Sequence, residues 1–188
     1  MAELSLFSTP PLDGYDKSTG DIRLYSPEAL AVVSIALPLG SEDSALAMIA
    51  SAYGVDLPSP GKSVIATDGA RLVRLGLDQA FIIFPHSAPD AEDVVQGKLE
   101  DAVYVTDQTD AWTALAIEGS STRDALERIC PIDLHPESFA VDDAARTVME
   151  HLGVLIIRAG DNDFLLLSAS SSANSFLHAL ETSIANAG

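Results

Sequence analysis

Cysteine is scarce in this sequence, and so are cations and long apolar runs. The 188 residues contain one cysteine, Cys130, which excludes an internal disulfide and a zinc site built from several thiolates. The apolar runs, such as residues 81–84 and 154–157, fall far short of the roughly 20 residues that span a bilayer. The opening stretch MAELSLFSTPPLDG lacks the basic and apolar regions of a secretory signal. We therefore predict a cytoplasmic chain without a membrane contact.

The balance of charge is strongly negative. Ten Lys and Arg residues oppose 28 Asp and Glu residues, which gives a formal net charge of -18. Such a surface repels phosphate backbones, so we expect no nucleic-acid partner. Hydrophobic residues make up 47% of the chain, which is enough for a packed core and excludes wholesale disorder.

The acids are dense between residues 86 and 110, where one base stands among seven of them. They are Asp90, Glu92, Asp93, Glu100, Asp101, Asp107 and Asp110, with Lys98 as the base. Such a run is typical of a solvated acidic face, but it would also suit docking against a basic partner surface. The sequence leaves both interpretations open.

Residues 1–28 show no sustained hydrophobic period, because prolines and glycines interrupt them. The segment still carries apolar side chains, including Leu6, Phe7, Leu12 and Tyr15. We predict an extended N-terminal arm over residues 1–28 that becomes ordered on a partner surface, with a frayed terminus as the alternative.

A regular pattern begins at residue 32. Runs rich in β-branched and aromatic residues predict strands at residues 32–37, 63–67, 71–75, 80–84 and 102–106. Two helices are predicted, at residues 41–53, closed by Gly54, and at residues 89–99, which open on a proline and acidic residues.

The second half repeats this order. Strands are predicted at residues 112–117, 146–151, 154–158 and 164–167, and helices from Ser120 or Ser121 to Cys130 and over residues 172–184. The segments RLVRLGLDQAFIIF and VLIIRAGDNDFLLL match in pattern, and they place Phe81 and Phe164 83 residues apart. Asp78 and Asp161 have the same separation.

This repetition predicts an α+β fold made of two β-α-β-β-β-α units of the ferredoxin-like kind, with helices on one face of each sheet. The predicted units cover residues 29–100 and 101–188. A repeat of about 80 residues is too long for a solenoid, so the pattern indicates duplication of a small domain.

Two motifs resemble ligand-binding loops. Pro60-Gly61-Lys62-Ser63 ends like a phosphate-binding loop, but Asp56 stands where the first glycine is required and a strand follows. The run Asp161-Asn162-Asp163 lacks the glycine and distal glutamate of a calcium loop, and it predicts a hairpin turn instead.

Other reactive residue types also fit structural roles. The four histidines, at positions 86, 135, 151 and 178, lack metal-ligand spacing. Asp142 and Asp143 are adjacent in an extended segment and should point apart. Ser120 and Ser121 favour a helix cap over an anion site, and Cys130 is expected to be a buried structural thiol. The residues therefore predict no catalytic, cofactor-binding or metal site in this chain.

A resemblance to a known family sharpens this interpretation. The segments VTDQTDAWTALAIEG, ICPIDLHPESF and ARTVMEHLGVLIIRAGDNDFLLL, together with IALPLG and RLGLDQAFIIF in the first half, resemble the gamma subunit of heterotetrameric sarcosine oxidase. The resemblance covers about residues 30–185, in one order and at compatible spacing. It implies a shortened relative of the folate-binding aminomethyltransferase fold of the glycine cleavage system.

The resemblance implies that the chemistry lies in the partner subunits, alpha, beta and delta. They would hold FAD, FMN, NAD, tetrahydrofolate and zinc, and the complex would convert sarcosine to glycine, hydrogen peroxide and a folate-linked one-carbon unit. Folate-dependent relatives carry a carboxylate at the strand that here follows His151-Leu152-Gly153, where only Glu150 is near. The implied role is a non-catalytic subunit that supports assembly and stability.

Two alternatives remain open from the sequence. The chain could be an independent folate-binding, aminomethyltransferase-like protein, which retained folate affinity would reveal. It could also be the same kind of adaptor in another N-methyl amine oxidase or demethylase, which only the identity of the catalytic partner would reveal.

Overall fold

The computed structural model describes residues 9–87 and 89–187, which form eleven strands and four α-helices. The strands are β1 Asp16–Thr19, β2 Ile22–Tyr25, β3 Leu30–Ala36, β4 Lys62–Ile65, β5 Arg71–Arg74, β6 Gln79–Pro85, β7 Tyr104–Asp107, β8 Trp112–Glu118, β9 Ala144–Met149, β10 Leu152–Arg158 and β11 Asp163–Ala169. The helices are α1 Glu42–Tyr53, α2 Ala91–Leu99, α3 Thr122–Glu127 and α4 Ala173–Ala185. None of these helices is long and apolar enough to cross a bilayer.

The strands form two antiparallel sheets that pack face to face. The first sheet has the order β4-β5-β6-β3-β7, and the second has the order β1-β2-β8-β11-β10-β9. Helices α1 and α2 cover the outer face of the first sheet, and α3 and α4 cover the outer face of the second. As predicted, the helices lie on one face of each sheet.

The side chains of each strand alternate between the two faces of its sheet, which explains these layers. In β6, Ile82 packs with α1 and α2, whereas Phe81 faces the second sheet. In β10, Ile156 packs in the core below α3 and α4, whereas Leu155 and Ile157 face the first sheet. Strands β6 and β10 are each buried on both faces, which is why their sequences contain unbroken apolar runs. Each such side chain contributes about 1.5–3 kcal/mol by burial.

The helix boundaries follow local signals with one exception. Helix α1 ends at Gly54, which adopts the left-handed conformation with φ 71°, as the sequence predicted. Helix α3 ends at Glu127, before the predicted limit at Cys130. Helical hydrogen bonding continues past this end, because the backbone N–H of Cys130 donates to the carbonyl oxygen of Leu126 at 2.9 Å.

The N-terminal segment differs from the prediction of an extended arm. Residues 16–25 form a β-hairpin, and its second strand extends the second sheet by pairing with β8, with Leu24 opposite Ile117. Leu24 and Ile22 are buried in the core below α3 and α4. The described part of the segment therefore belongs to the packed structure of this chain.

A local signal for this hairpin was present in the sequence. Gly20-Asp21 joins the two strands, and Gly20 has φ 61°, as a tight two-residue hairpin loop requires. Of the apolar residues assigned to the arm, Leu12 is buried and Tyr15 is half-buried. Leu6 and Phe7 lie outside the described residues.

Strand pairing aligns the two halves one residue differently from the match between their sequences. Arg74 pairs with Ala80 between β5 and β6, and Arg158 pairs with Phe164 between β10 and β11. Phe164 therefore corresponds to Ala80, and the offset is 84 residues. Phe81 faces the other sheet and Phe164 faces the helices, because a shift of one residue moves a strand side chain to the opposite face.

Candidate functional surfaces

The rejected phosphate-loop motif lies where edges of the two sheets meet. Lys62 on β4 forms an ion pair with Asp143, and the backbone N–H of Ser63 donates to the carbonyl oxygen of Asp142 at 2.6 Å. Arg71 Nη1 binds the Asp142 carboxylate at 2.7 Å. The adjacent carboxylates thus point to different partners, as predicted, and the cluster joins the two sheets.

Arg74 holds the turn between β5 and β6. Its Nε donates to the carbonyl oxygen of Gly76 at 3.2 Å, and Nη2 donates to that of Leu77 at 2.6 Å. Its Nη1 donates to the carbonyl oxygen of Pro58 at 3.2 Å. A planar guanidinium with several donors suits this convergence of carbonyl groups.

Arg158 repeats this arrangement in the turn between β10 and β11. Its Nε, Nη2 and Nη1 donate to the carbonyl oxygens of Gly160, Asp161 and Phe139 at 3.2, 2.5 and 2.6 Å. Unlike Arg74, Arg158 is almost fully buried. The two arginines lie at the same place in their hairpins, 84 residues apart, and each donates hydrogen bonds to carbonyl groups of the turn.

Three acids at the two ends of β10 do not converge. Glu150 lies in the turn before β10, whereas Asp161 and Asp163 lie in or beside the turn after it. All three are exposed. The seven residues of β10 separate these turns by roughly 20 Å. The run from Asp161 to Asp163 forms the predicted hairpin turn.

The histidines lie in four different places. His86 Nε2 contacts the carboxylate of Asp90 at 2.6 Å, and His135 Nδ1 accepts a hydrogen bond from a nearby backbone N–H. His151 lies in the turn before β10, and His178 lies on α4. Over residues 9–87 and 89–187, no group of three or more His, Cys, Asp or Glu residues could hold a metal ion.

Cys130 lies in the core below α3 and α4. Burial raises the pKa of its thiol, which favours the neutral, unreactive form. This environment agrees with the predicted structural role.

A carboxylate from another part of this chain binds at the start of α3. The carboxylate of Asp21, in the β1–β2 turn, accepts hydrogen bonds from the hydroxyl of Ser120 and from the backbone N–H of Ser121, the latter at 2.8 Å. Ser121 itself makes no side-chain capping bond. The predicted serine cap is therefore wrong in detail, since a carboxylate distant in sequence takes that place.

The hairpin is also tied to α4. Glu181 accepts hydrogen bonds from the hydroxyl of Tyr15 at 3.0 Å and from Lys17 Nζ at 2.7 Å. Burial, followed by the bond to Glu181, raises the pKa of Tyr15 to about 12. The bond from Lys17 is the main cause that lowers the pKa of Glu181. The hairpin thus contacts both helices of its layer.

A cavity of about 330 Å³ opens beside β8. Its described lining consists of prolines, hydroxyl-bearing residues, aliphatic residues, one acid and Trp112, and it includes no Lys or Arg. Trp112 Nε1 is buried without a hydrogen-bond partner among the described atoms. The described lining therefore offers hydroxyl groups, apolar groups and one carboxylate.

Large apolar side chains are exposed at one end of the first sheet. Leu39 is 99% exposed, Leu77 is 81% exposed and Tyr104 is 69% exposed. They follow β3, precede β6 and begin β7, respectively. We refer to these three residues as the apolar end. Exposed apolar groups in ordered structure are typical of interaction surfaces.

Comparison with known proteins identifies one family. The model of the sarcosine oxidase, gamma subunit family matches residues 40–186. The sarcosine oxidase subunit gamma of Corynebacterium sp. (strain U-96) is 31% identical over 134 residues, which cover 70% of this chain and 65% of that protein. The corresponding protein of Arthrobacter sp is 30% identical, with coverage of 64% and 60%. The chain thus spans less than two thirds of the length of these curated relatives.

Solved structures show the same fold. A chain of the heterotetrameric sarcosine oxidase from Corynebacterium sp. U-96, in complex with pyrrole 2-carboxylate, matches with a TM-score of 0.78 and 26% identity. The match covers 89% of this chain and 87% of that chain. The glycine cleavage system aminomethyltransferase T from Bartonella henselae matches with a TM-score of 0.65, 15% identity and coverage of 85% and 45%, which shows a shared fold alone.

Proposed function

The chain belongs to the sarcosine oxidase gamma subunit family, and from this premise we propose that it is a non-catalytic subunit of a heterotetrameric sarcosine oxidase. Its role is to support the assembly and stability of the complex. The observation that carries this proposal is the match to a chain of the heterotetrameric enzyme, with a TM-score of 0.78 over 89% of this chain.

The complex oxidatively demethylates sarcosine to glycine, with hydrogen peroxide and a folate-linked one-carbon unit as further products. The alpha, beta and delta subunits hold FAD, FMN, NAD, tetrahydrofolate and zinc. The complex is cytoplasmic. These assignments rest on the family resemblance, since they concern groups outside this chain.

The geometry of this chain supports a structural role. Proton transfer requires an acid or base within reach of the reacting group, and Glu150 lies at the opposite end of β10 from Asp161 and Asp163. The Lys62 and Arg71 side chains, which could neutralise an anionic ligand, are engaged in ion pairs between the sheets.

The two halves are duplicated ferredoxin-like units. In the first, β3, β5, β6 and β7 follow the order β5-β6-β3-β7, with β4 added at the edge. In the second, β8, β10 and β11 take the corresponding places, and β2 occupies the place of β7. The equivalent bonds of Arg74 and Arg158 support a common origin. The predicted division into residues 29–100 and 101–188 then needs two changes. Strand β7, Tyr104–Asp107, belongs to the first unit, and the N-terminal hairpin belongs to the second.

Co-expression tests the proposed function. We expect the tagged chain, expressed with the other oxidase subunits of its native cell, to co-purify with them in equal amounts. The purified complex should show flavin absorbance and should release hydrogen peroxide when sarcosine is added. The chain expressed alone should be colourless and should carry no stoichiometric metal.

Three results would contradict the proposal. Flavin absorbance in the singly expressed chain would assign chemistry to it. Micromolar tetrahydrofolate binding by the isolated chain, measured by calorimetry, would favour the folate-binding alternative. Co-purification with a flavoprotein that oxidises dimethylglycine but not sarcosine would favour the alternative adaptor role.

A further inference from the structure

The apolar end is formed by three adjacent strands of the first sheet. Ala36 at the end of β3 pairs with Gln79 at the start of β6 and with Tyr104 at the start of β7. Neighbouring strands lie about 4.8 Å apart, so these three strand ends are side by side. Leu39 lies three residues after the end of β3, and Leu77 lies two residues before the start of β6.

Leu39 is presented by a tight turn. The backbone N–H of Ser41 donates to the carbonyl oxygen of Pro38 at 3.1 Å, and Gly40 has φ 80°. A positive φ at the third position of a four-residue turn favours glycine and leaves the second residue at the tip. Leu39 is that second residue, and its side chain is almost fully exposed.

Leu77 is presented by a second ordered turn. Its carbonyl oxygen accepts a hydrogen bond from Arg74 Nη2 at 2.6 Å, and the backbone N–H of Leu37 donates to the carbonyl oxygen of Asp78 at 2.8 Å. These bonds connect the turn to β5 and to the end of β3. The backbone carrying both leucines is therefore ordered in advance, which reduces the entropy lost on binding.

Acidic side chains border the apolar end. Glu42 and Asp43 begin α1, Asp78 follows Leu77, and Glu100 and Asp101 lie in the turn between α2 and β7. The nearby cations are engaged: Arg74 binds backbone carbonyl groups, and Arg146 Nη2 lies 3.4 Å from the side-chain oxygen of Gln79. An apolar centre with an acidic border is complementary to an apolar surface with a basic border.

On these grounds we propose that the apolar end is the docking site for another subunit of the oxidase complex, whose facing surface has an apolar recess bordered by Arg and Lys side chains. This inference rests on the proposed function. A second copy of this chain is a poor occupant, because self-association through this face would bring two acidic borders together in a chain of net charge -18.

The test uses paired surface variants of the full chain, co-expressed with the other oxidase subunits. Leu39→Ser with Leu77→Ser removes the apolar centre. The matched control is Ile65→Thr with Val148→Thr, since these residues are exposed by 46% and 51% and lie on β4 and β9, away from the apolar end. Circular dichroism and thermal unfolding establish that both variants fold.

We expect the leucine variant to bind the other subunits at least about tenfold more weakly, as for residues at the centre of an interface, and the control variant to bind like the unchanged chain. In a third variant, Glu100→Gln with Asp101→Asn should reduce the dependence of association on salt concentration. Affinities are measured by titrating each chain onto the immobilised remaining subunits.

The outcomes separate this inference from the proposed function. If the unchanged chain does not associate with oxidase subunits, the proposed function fails. If it associates and the leucine variant associates equally well, the docking site is wrong while the function stands. If the isolated chain is a dimer that the leucine substitutions convert to a monomer, the occupant is a second copy and this inference is overturned.

Discussion

At Gly119 the turn between β1 and β2 approaches the start of α3 very closely. A Cβ atom there would lie 2.1 Å from the carbonyl oxygen of Asp21, and φ of Gly119 is 132°. Both sides of this contact are backbone, so neither group can easily move away from an added Cβ atom. The residue thus allows the hairpin to reach α3, where the Asp21 carboxylate accepts its hydrogen bonds.

We expect Gly119→Ala to lower the free energy of unfolding by about 2 kcal/mol or more, through strain at positive φ and the clash with Asp21. The control is Gly97→Ala in α2, where a Cβ atom would meet nothing within 4 Å. That substitution should raise the free energy of unfolding by about 0.5–1 kcal/mol. Urea unfolding measures both, and equal effects would contradict the proposed close contact.

The carboxylate of Asp21 gives a second residue-level prediction. The hydrogen bond from Ser120 is the largest cause that lowers the pKa of Asp21 from its ordinary 3.8 to about 2. Because the folded value is the lower one, this stabilisation is complete above about pH 4 and is lost as the pH falls toward 2.

NMR titration of the Asp21 carboxyl group checks this shift. We expect a pKa near 2 in the unchanged chain and a higher value in Ser120→Ala, because the hydroxyl donor is removed. The destabilisation caused by Asp21→Asn should shrink as the pH falls from about 4 to 2. An unchanged titration in Ser120→Ala would show that the serine is not the principal donor.

At the level of elements, the β1–β2 hairpin has the largest role in the second sheet. Strands from the second half of the chain leave one edge of β8 unpaired, and the hairpin pairs with that edge. Its strand β2 covers one edge of β8, and Ile22 and Leu24 fill the core below α3 and α4. In the first sheet the equivalent place beside β3 belongs to β7. The second sheet thus depends on a segment far away in sequence.

Deleting residues 1–25 should therefore destabilise the isolated chain. We expect a loss of about 5–9 kcal/mol in the free energy of unfolding, because Leu12, Ile22 and Leu24 are all buried in the core below α3 and α4. Deleting residues 1–8 is the control. It keeps the hairpin intact and should therefore lower the thermal unfolding temperature less than the longer deletion does. If the longer deletion does not fold at all, Leu24→Ala should still show a loss of about 2–4 kcal/mol.

At the level of the whole molecule, the polar contacts between the two sheets mainly stabilise the fold. Lys62, Arg71, Asp142 and Asp143 join the two sheets, and an edge-on contact of Phe81 with Trp112, with centroids 5.7 Å apart, lies between them. The three exposed acids at the ends of β10 are outside these contacts.

Substitution of those acids tests this view in the assembled enzyme. We expect Glu150→Gln, Asp161→Asn and Asp163→Asn, combined, to leave the rate of sarcosine oxidation nearly unchanged, since the three groups do not converge. The measurement is sarcosine-dependent peroxide release by the purified complex. A fall of about 100-fold, or roughly 2.7 kcal/mol of barrier, with assembly intact would make this a catalytic subunit.

The sequence by itself determined the class of fold and most element positions. Hydrophobic periodicity is a local property, so the strands around Phe81 and Phe164 and the helix that ends at Gly54 could be predicted with boundaries a few residues off. The same local patterns predicted that the two halves repeat.

Only the tertiary structure decided which distant residues meet. Strand pairing set the offset between the halves at 84 residues, and placed Phe81 between the sheets and Phe164 below the helices. The partners of Asp21, Lys62 and Arg158 are likewise set by folding. The physical reason is that periodicity specifies which face of an element is buried, whereas the neighbour across that face depends on how the elements pack.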